Sequence, residues 1–190
     1  VRKALGIEGV NKKIIFYAPT WRDNQHDSTI GYTYKTEVDF DKLKEALGEE
    51  YIILFRAHYL VANSFDFEKY SGFVYDVSSY DDINDLYIVS DLLITDYSSV
   101  FFDYANLRRP MLFYMYDFDS YKNEMRDFYF DIDELPGPIV KDEDSLIEAI
   151  RDLPNYPARY GKKYIAFHNK FNYLDDGHAS ARVVDAVMRL

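Results

Sequence analysis

Apolar runs of strand length alternate along this chain with amphipathic stretches of helix length, and that alternation is the pattern of a parallel β-sheet covered by helices. Strands are expected at residues 13–18, 51–55, 73–75, 92–95 and 111–115. Between them, 39–47 and 83–89 carry apolar residues at helical spacing, and 98–106 places Phe101, Phe102 and Ala105 on one side, so each reads as a crossover helix. After the last strand, 144–153 repeats the pattern with Leu146, Ile147 and Ile150 behind Asp142, Glu143 and Asp144, an acidic start suited to the positive end of a helix dipole. Residues 156–170 and 179–190 read as closing helices, the second presenting Val183, Val184, Val187 and Met188. The least regular segments are 19–35 and 131–137, and the first is long enough to suggest a functional loop.

Composition bounds the partners. A chain of 190 residues fits one domain, 1–190, and a domain of that size buries about 70% of the surface its unfolded chain exposes. With 19 Tyr and 14 Phe, many rings must be core. Thirty-three acidic against 22 basic residues leave a net charge of -11. That balance argues against nucleic acid or an anionic membrane as a direct partner, because both are held by clustered Lys and Arg. The absence of Cys removes disulfides, thiolate zinc sites and thiol nucleophiles, and fits a reducing compartment, by default the cytoplasm. No run approaches the roughly 20 apolar residues of a membrane span, and the N-terminus lacks the pattern of a secretion signal. Because it opens on Val1 in a charged segment, the chain is expected to be a fragment of a longer polypeptide.

In an open parallel α/β sheet, ligands bind outside the carboxyl ends of the strands. The residues at those positions are polar: Pro19-Thr20-Trp21-Arg22-Asp23, Arg56-Ala57-His58, Asp76-Val77-Ser78-Ser79 and Asp96-Tyr97-Ser98-Ser99. The last ends a strand and opens a helix with hydroxyl residues, so free backbone N–H groups meet a positive dipole end where a phosphate could bind. Ser98 or Ser99 also fits a plain N-cap and Asp96 a turn former. Arg56 and His58, two apart at a strand end, point the same way if the extension persists; together they could hold a diphosphate and exchange a proton near neutral pH. A His packed against the strand end is the alternative. Trp21 and Arg22 could close over a ligand, or Trp21 could pack the loop onto the body.

His26, His168 and His178 share no metal-ligand spacing. Asp81-Asp82 and Asp131-Ile132-Asp133-Glu134 lack the ligand alternation and turn Gly of a calcium loop and read as solvated turns and helix starts. No metal or cofactor is therefore expected. Arg108-Arg109-Pro110 reads as a helix end.

Several blocks in order resemble the CDP-glycerol glycerophosphotransferase family of teichoic-acid primases and polymerases. They are Tyr17-Ala-Pro-Thr-Trp-Arg-Asp23, Arg56-Ala-His58, the continuous stretch from Asp76 through Ser90 to Ala105, Arg109-Pro110 and Gly137-Pro-Ile-Val140. The resemblance implies the C-terminal, donor-binding, Rossmann-like half of a two-domain GT-B glycosyltransferase architecture, parallel sheet with helices on both faces. By analogy Asp96, Ser98 and Ser99 belong to the pyrophosphate-binding region, His58 lies near the donor phosphates as the candidate catalytic group with Arg56 beside it, and Asp76, Val77 and Ser78 lie near the cytidine. The implied reaction is attack by the terminal hydroxyl of a growing polyol-phosphate polymer on the phosphorus bearing glycerol, with CMP leaving; CDP-glycerol is a substrate, not a cofactor. The family's further His, in a Trp-His-Gly-Thr-Pro-like motif of its N-terminal domain, has no counterpart here. The isolated chain is accordingly expected to be inactive, with acceptor site and membrane contact supplied by the full-length protein at the inner face of the cell membrane. A CDP-ribitol donor, a sugar-nucleotide glycosyltransferase of the same architecture and a non-catalytic nucleotide-binding domain are the alternatives.

Overall fold

The computed structural model describes residues 1–20, 26–27, 31–32, 38–56, 66–121 and 130–189. Six parallel strands form one sheet: β1 (Lys13–Ala18), β2 (Tyr51–Phe55), β3 (Val74–Asp76), β4 (Leu92–Thr95), β5 (Met111–Tyr114) and β6 (Ile139–Val140). Their spatial order is β3-β2-β1-β4-β5-β6. The expected strands at 13–18, 51–55 and 92–95 agree to the residue, whereas β3 is shifted by one and β5 is one shorter. β6 was not expected as a strand. Two residues are too short to show a period, and what makes Ile139 and Val140 a strand is their pairing with Phe113 and Tyr114. A separate short antiparallel pairing joins His26–Asp27 to Gly31–Tyr32.

Side chains two apart share a face of a strand, and here both faces are apolar, as a sheet covered on both sides requires. Ile15, Tyr17, Ile53, Phe55, Ile94 and Leu112 meet helices α1 (Phe40–Leu47) and α5 (Glu143–Arg151) through Phe40, Leu43, Leu146 and Ile150. On the other face, Ile14, Phe16, Ile52, Leu54, Leu93 and Phe113 meet α2 (Ile83–Val89), α3 (Val100–Tyr104) and α6 (Tyr156–Phe171). The aromatic load concentrates there. Phe101, Phe102, Phe130, Phe167 and Phe171 pack with ring centroids 4.4 to 6.2 Å apart, each such pair adding about 0.5–1.5 kcal/mol to the burial itself.

The helices start where carboxylates satisfy the free first-turn amides. Asp39 accepts from the N–H of Asp41 and Lys42, Asp82 from Asn84 and Asp142 from Ser145. Asp82 is thus a helix start, as read from its sequence. A single helical turn, α4 (Phe118–Ser120), follows β5. Helix α3 tightens into a 3-10 turn, Ala105–Leu107, and ends at Arg108 with φ +53°. The helix end read at Arg108-Arg109-Pro110 is real, but the Arg109 guanidinium serves another element: Nη1 donates to the carbonyls of Tyr87, Ile88 and Ser90 at the end of α2.

Two features depart from the simple alternation. Gly137 lies so close to β5 that a Cβ there would sit 2.0 Å from the Met111 carbonyl oxygen, and the buried Tyr156 hydroxyl bridges the same place, accepting from Met111 N–H and donating to Pro136 O. The last helix, α7 (Ala179–Val187), is anchored by its preceding turn instead of its apolar stripe. Asn172 donates to Phe102 O and Asp175, and Arg182 donates to both Asp176 carboxylate oxygens. Val183, Val184, Val187 and Met188, expected to close the domain, are 58–81% exposed.

Candidate functional site

The chain runs outward from β1 through β2 to β3, then returns to the opposite side of β1 for β4, so the strand order reverses between β1 and β4. Loops leaving the carboxyl ends of two such strands diverge and leave a crevice, the place where this class of sheet binds ligands. Ala18 and Thr95 are paired at that edge.

The crevice floor is held by buried polar groups. Thr95 Oγ1 donates to Ala18 O at 2.7 Å. Asp96, 2% exposed, accepts on Oδ1 from the backbone N–H of Thr20 at 2.8 Å and of Tyr97 at 2.6 Å. One carboxylate therefore ties the loop after β1 to the loop after β4. Its charge is stabilised by two amide dipoles, which makes it part of the scaffold of the crevice. Ser98 is half-buried and Ser99 exposed. Ser99 occupies the residue before α3 with helical φ and ψ and makes no side-chain capping bond, so the plain N-cap reading fails for Ser99.

On the β2 side, Arg56 N–H donates to Tyr17 O, continuing the ladder beyond β2. Its guanidinium is turned to the loop after β3: Nη1 donates to Val77 O at 3.2 Å and Tyr80 O at 2.6 Å. Arg56 thus braces the β3 loop from the neighbouring strand. The Val77 side chain is 3% exposed and lies in the core, while its N–H donates to Phe55 O and its carbonyl also accepts from Tyr80 N–H. Asp76 Oδ1 accepts from Ser78 N–H at 2.9 Å in a tight turn. Tyr80 donates its hydroxyl to Asp85 Oδ2 at 2.8 Å, a bond that raises the phenol's pKa. Asp76, Val77, Ser79 and Tyr80 also line a groove of about 500 Å³ along the edge strand β3, with Leu5 and Phe67 on its walls.

On the β5 side, Tyr97 stacks on Tyr121 with centroids 3.6 Å apart and planes 9° apart, and its hydroxyl donates to Asp117 at 3.0 Å. Thr20, Thr95, Tyr97, Tyr80 and Asp117 were not singled out from sequence, although all but Asp117 lie in the quoted strand-end or family blocks. The structure brings Asp96, Ser98 and Ser99 together at the strand-order reversal, and Arg56, Asp76, Val77 and Ser78 in a second group over β2 and β3. Arg22 and His58 lie outside the described residues. Among the described residues no three His, Asp or Glu side chains stand close enough to hold a metal ion.

Comparison with known proteins bears on this crevice. The family model described as CDP-Glycerol:Poly(glycerophosphate) glycerophosphotransferase matches residues 1–189. A teichoic acid poly(glycerol phosphate) polymerase of Bacillus subtilis (strain 168) is 48% identical over 180 residues, covering 94% of this chain and 24% of the relative. A teichoic acid poly(ribitol-phosphate) polymerase of Bacillus spizizenii (strain ATCC 23059 / NRRL B-14472 / W23) is 44% identical over 182 residues, covering 94% of this chain and 28% of that protein. Among solved structures, a variant of the wall teichoic acid polymerase TagF superposes with a TM-score of 0.88 at 40% identity over 99% of this chain and 46% of its own. Another TagF variant, soaked with CDPG, superposes with a TM-score of 0.84 at 40% identity over 99% of this chain and 44% of its own. This chain thus spans half or less of the relatives it matches. With a six-stranded parallel sheet whose order reverses at a carboxyl-edge crevice, and with the match running from residue 1 to 189, the chain belongs to the CDP-glycerol:poly(glycerophosphate) glycerophosphotransferase family.

Proposed function

We propose that this chain supplies the CDP-glycerol site of an enzyme that transfers glycerol phosphate to a growing teichoic-acid-type polymer. The observation that carries the reading is the strand-order reversal between β1 and β4, where sheets of this class bind ligands, in a chain matched throughout by this family. The donor's diphosphate lies across Ser98 and Ser99 at the start of α3, with Asp96 holding the floor beneath, and the nucleoside extends over β2 toward Asp76–Ser78. The family's Arg-x-His block assigns His58 to the donor phosphates. Arg56 braces the Val77–Tyr80 loop that receives the nucleoside.

In the reaction, the acceptor's terminal hydroxyl oxygen attacks the phosphorus bearing glycerol, the bond from that phosphorus to the oxygen bridging to CMP breaks, CMP leaves with that electron pair, and the hydroxyl proton passes to a base. In-line positioning and neutralisation of oxygen charge are what the protein contributes. The N–H groups at Ser98–Ser99 and His58 serve the second need. The base, the polymer acceptor site and any contact with the inner membrane face belong to the rest of a longer protein, in the two-domain GT-B arrangement. Among the described residues no helix is long and apolar enough to cross a membrane.

Calorimetry on the isolated chain tests the donor. CDP-glycerol binding, with CDP weaker and UDP-sugars absent at millimolar concentration, supports the reading; the reverse order refutes it. CDP-ribitol is the second reading, favoured by the 44% identical ribitol-phosphate polymerase, and tighter binding of CDP-ribitol than CDP-glycerol would select it. The isolated chain should release little CMP in the presence of acceptor, whereas a full-length parent should release it readily.

A further inference from the structure

Asp96 and Tyr97 are adjacent, yet they grip opposite neighbours. Asp96 reaches the loop after β1 through the Thr20 amide. Tyr97 reaches the segment after β5, where its ring lies on Tyr121 at 3.6 Å and 9° and its hydroxyl donates to Asp117 Oδ1 at 3.0 Å. The far side of that contact is closed on itself, because Tyr121 N–H donates to Asp117 O at 2.9 Å. Ring, hydroxyl and backbone thus make a closed circuit, Tyr97–Tyr121–Asp117–Tyr97, beside the crevice. Tyr121 is 7% exposed and Tyr97 and Asp117 are half-buried, so the stack is partly withdrawn from water and its hydrogen bond is charge-assisted.

We infer that Tyr97 is a positioning residue for the donor diphosphate: with Tyr121 and Asp117 it holds the Ser98–Ser99 segment on its β5 side, as Asp96 holds it on its β1 side. Nothing in the arrangement requires Tyr97 to touch the ligand. Its two bonds act on a peptide that begins one residue later, and a peptide gripped from both sides loses little further freedom when a ligand binds it. Such preorganisation appears in affinity without a new contact. The inference rests on the diphosphate reading proposed above for Ser98 and Ser99.

The test measures CDP-glycerol affinity by calorimetry, cytidine affinity by chemical-shift titration and melting temperature, all on the same preparations of this chain. Tyr97→Leu and Tyr121→Leu, which remove the stack, are each expected to weaken CDP-glycerol roughly tenfold, with cytidine unaffected because it carries no phosphate. Tyr97→Phe keeps the stack and loses the bond to Asp117, for an intermediate loss of about threefold. The double substitution Tyr97→Leu with Tyr121→Leu should be no worse than either alone, since the two rings act as one unit. Equal weakening of cytidine and CDP-glycerol, or a fall in melting temperature with CDP-glycerol affinity intact, overturns the inference by showing a packing role only. If wild type binds no CDP-glycerol, the donor reading fails and the inference falls with it; if wild type binds and all Tyr97 variants bind alike, the inference alone fails.

Discussion

Replacing Asp96 by Ala removes a side chain that joins the loop after β1 to the loop after β4. Its Oδ1 takes two backbone N–H donors, at 2.8 and 2.6 Å, and the residue is 2% exposed. In the variant the Thr20 and Tyr97 amides lose their acceptor. A hydrogen bond to a charged group contributes about 1.5–3 kcal/mol, so the two together represent roughly 3–6 kcal/mol. Part of that is offset, because the variant no longer desolvates a carboxylate. A net loss of about 2–4 kcal/mol remains, and at roughly 2–4 °C per kcal/mol for a domain of this size the melting temperature should fall by about 5–15 °C. Asp96→Asn retains an acceptor of the same shape without the charge and should lose less than half as much. Thermal melting followed by circular dichroism, with amide exchange at Thr20 and Tyr97, is the assay. A melting temperature for Asp96→Ala within about 1 °C of wild type, with those two amides still protected, would refute the role of the carboxylate as a clasp. Loss of CDP-glycerol binding at unchanged stability would reassign it to the ligand.

Other expectations follow from the same structure. Gly137→Ala places a methyl group 2.0 Å from the Met111 carbonyl oxygen, where backbone must move to admit it, and should cost at least about 1–3 kcal/mol in urea unfolding. Val183→Ser and Val187→Ser on the exposed face of α7 should change stability by less than about 0.5 kcal/mol, because neither side chain is in the core. Burial raises the phenol pKa of Tyr104 to about 12 from the ordinary 10.0, and raises those of Tyr87, Tyr156 and Tyr164 as well. The folded state therefore holds these protons longer than the unfolded chain. The resulting stability is fully present below about pH 10 and is lost as pH rises through about 12, so tyrosinate absorbance and unfolding should advance together in that window. Gradual ionisation of these phenols with the fold intact would contradict that coupling.

Much of this protein was legible without coordinates because burial writes itself into local pattern. A run such as Ile14-Ile15-Phe16-Tyr17 is apolar at every position, as a strand covered on both faces requires, and its short length and β-branched and aromatic content favour a strand, so β1 was placed to the residue. The helices α1, α2 and α5 announced themselves by an apolar stripe behind Asp39, Asp82 and Asp142, since capping and amphipathicity are both local in sequence. The strand-end blocks likewise pointed to the edge where Asp96, Ser98 and Ser99 stand together.

What the chain could not announce are the relations between residues far apart along it. The two-residue β6 exists because Phe113 and Tyr114 lie alongside Ile139 and Val140. Arg109 looked like the end of its own helix, yet its guanidinium closes α2, about twenty residues earlier. Arg56 was read as a phosphate ligand from its place at a strand end, and only the fold shows that its Nη1 also reaches across to the backbone of the β3 loop. The apolar stripe of α7 carried the signature of a core helix, but whether a stripe is covered depends on what is brought against it, and within this chain it stays exposed. In each case hydrophobic period and capping chemistry determine what an element is. Which groups meet is decided by strand pairing and packing, whose partners are separated by tens of residues and leave no periodic trace.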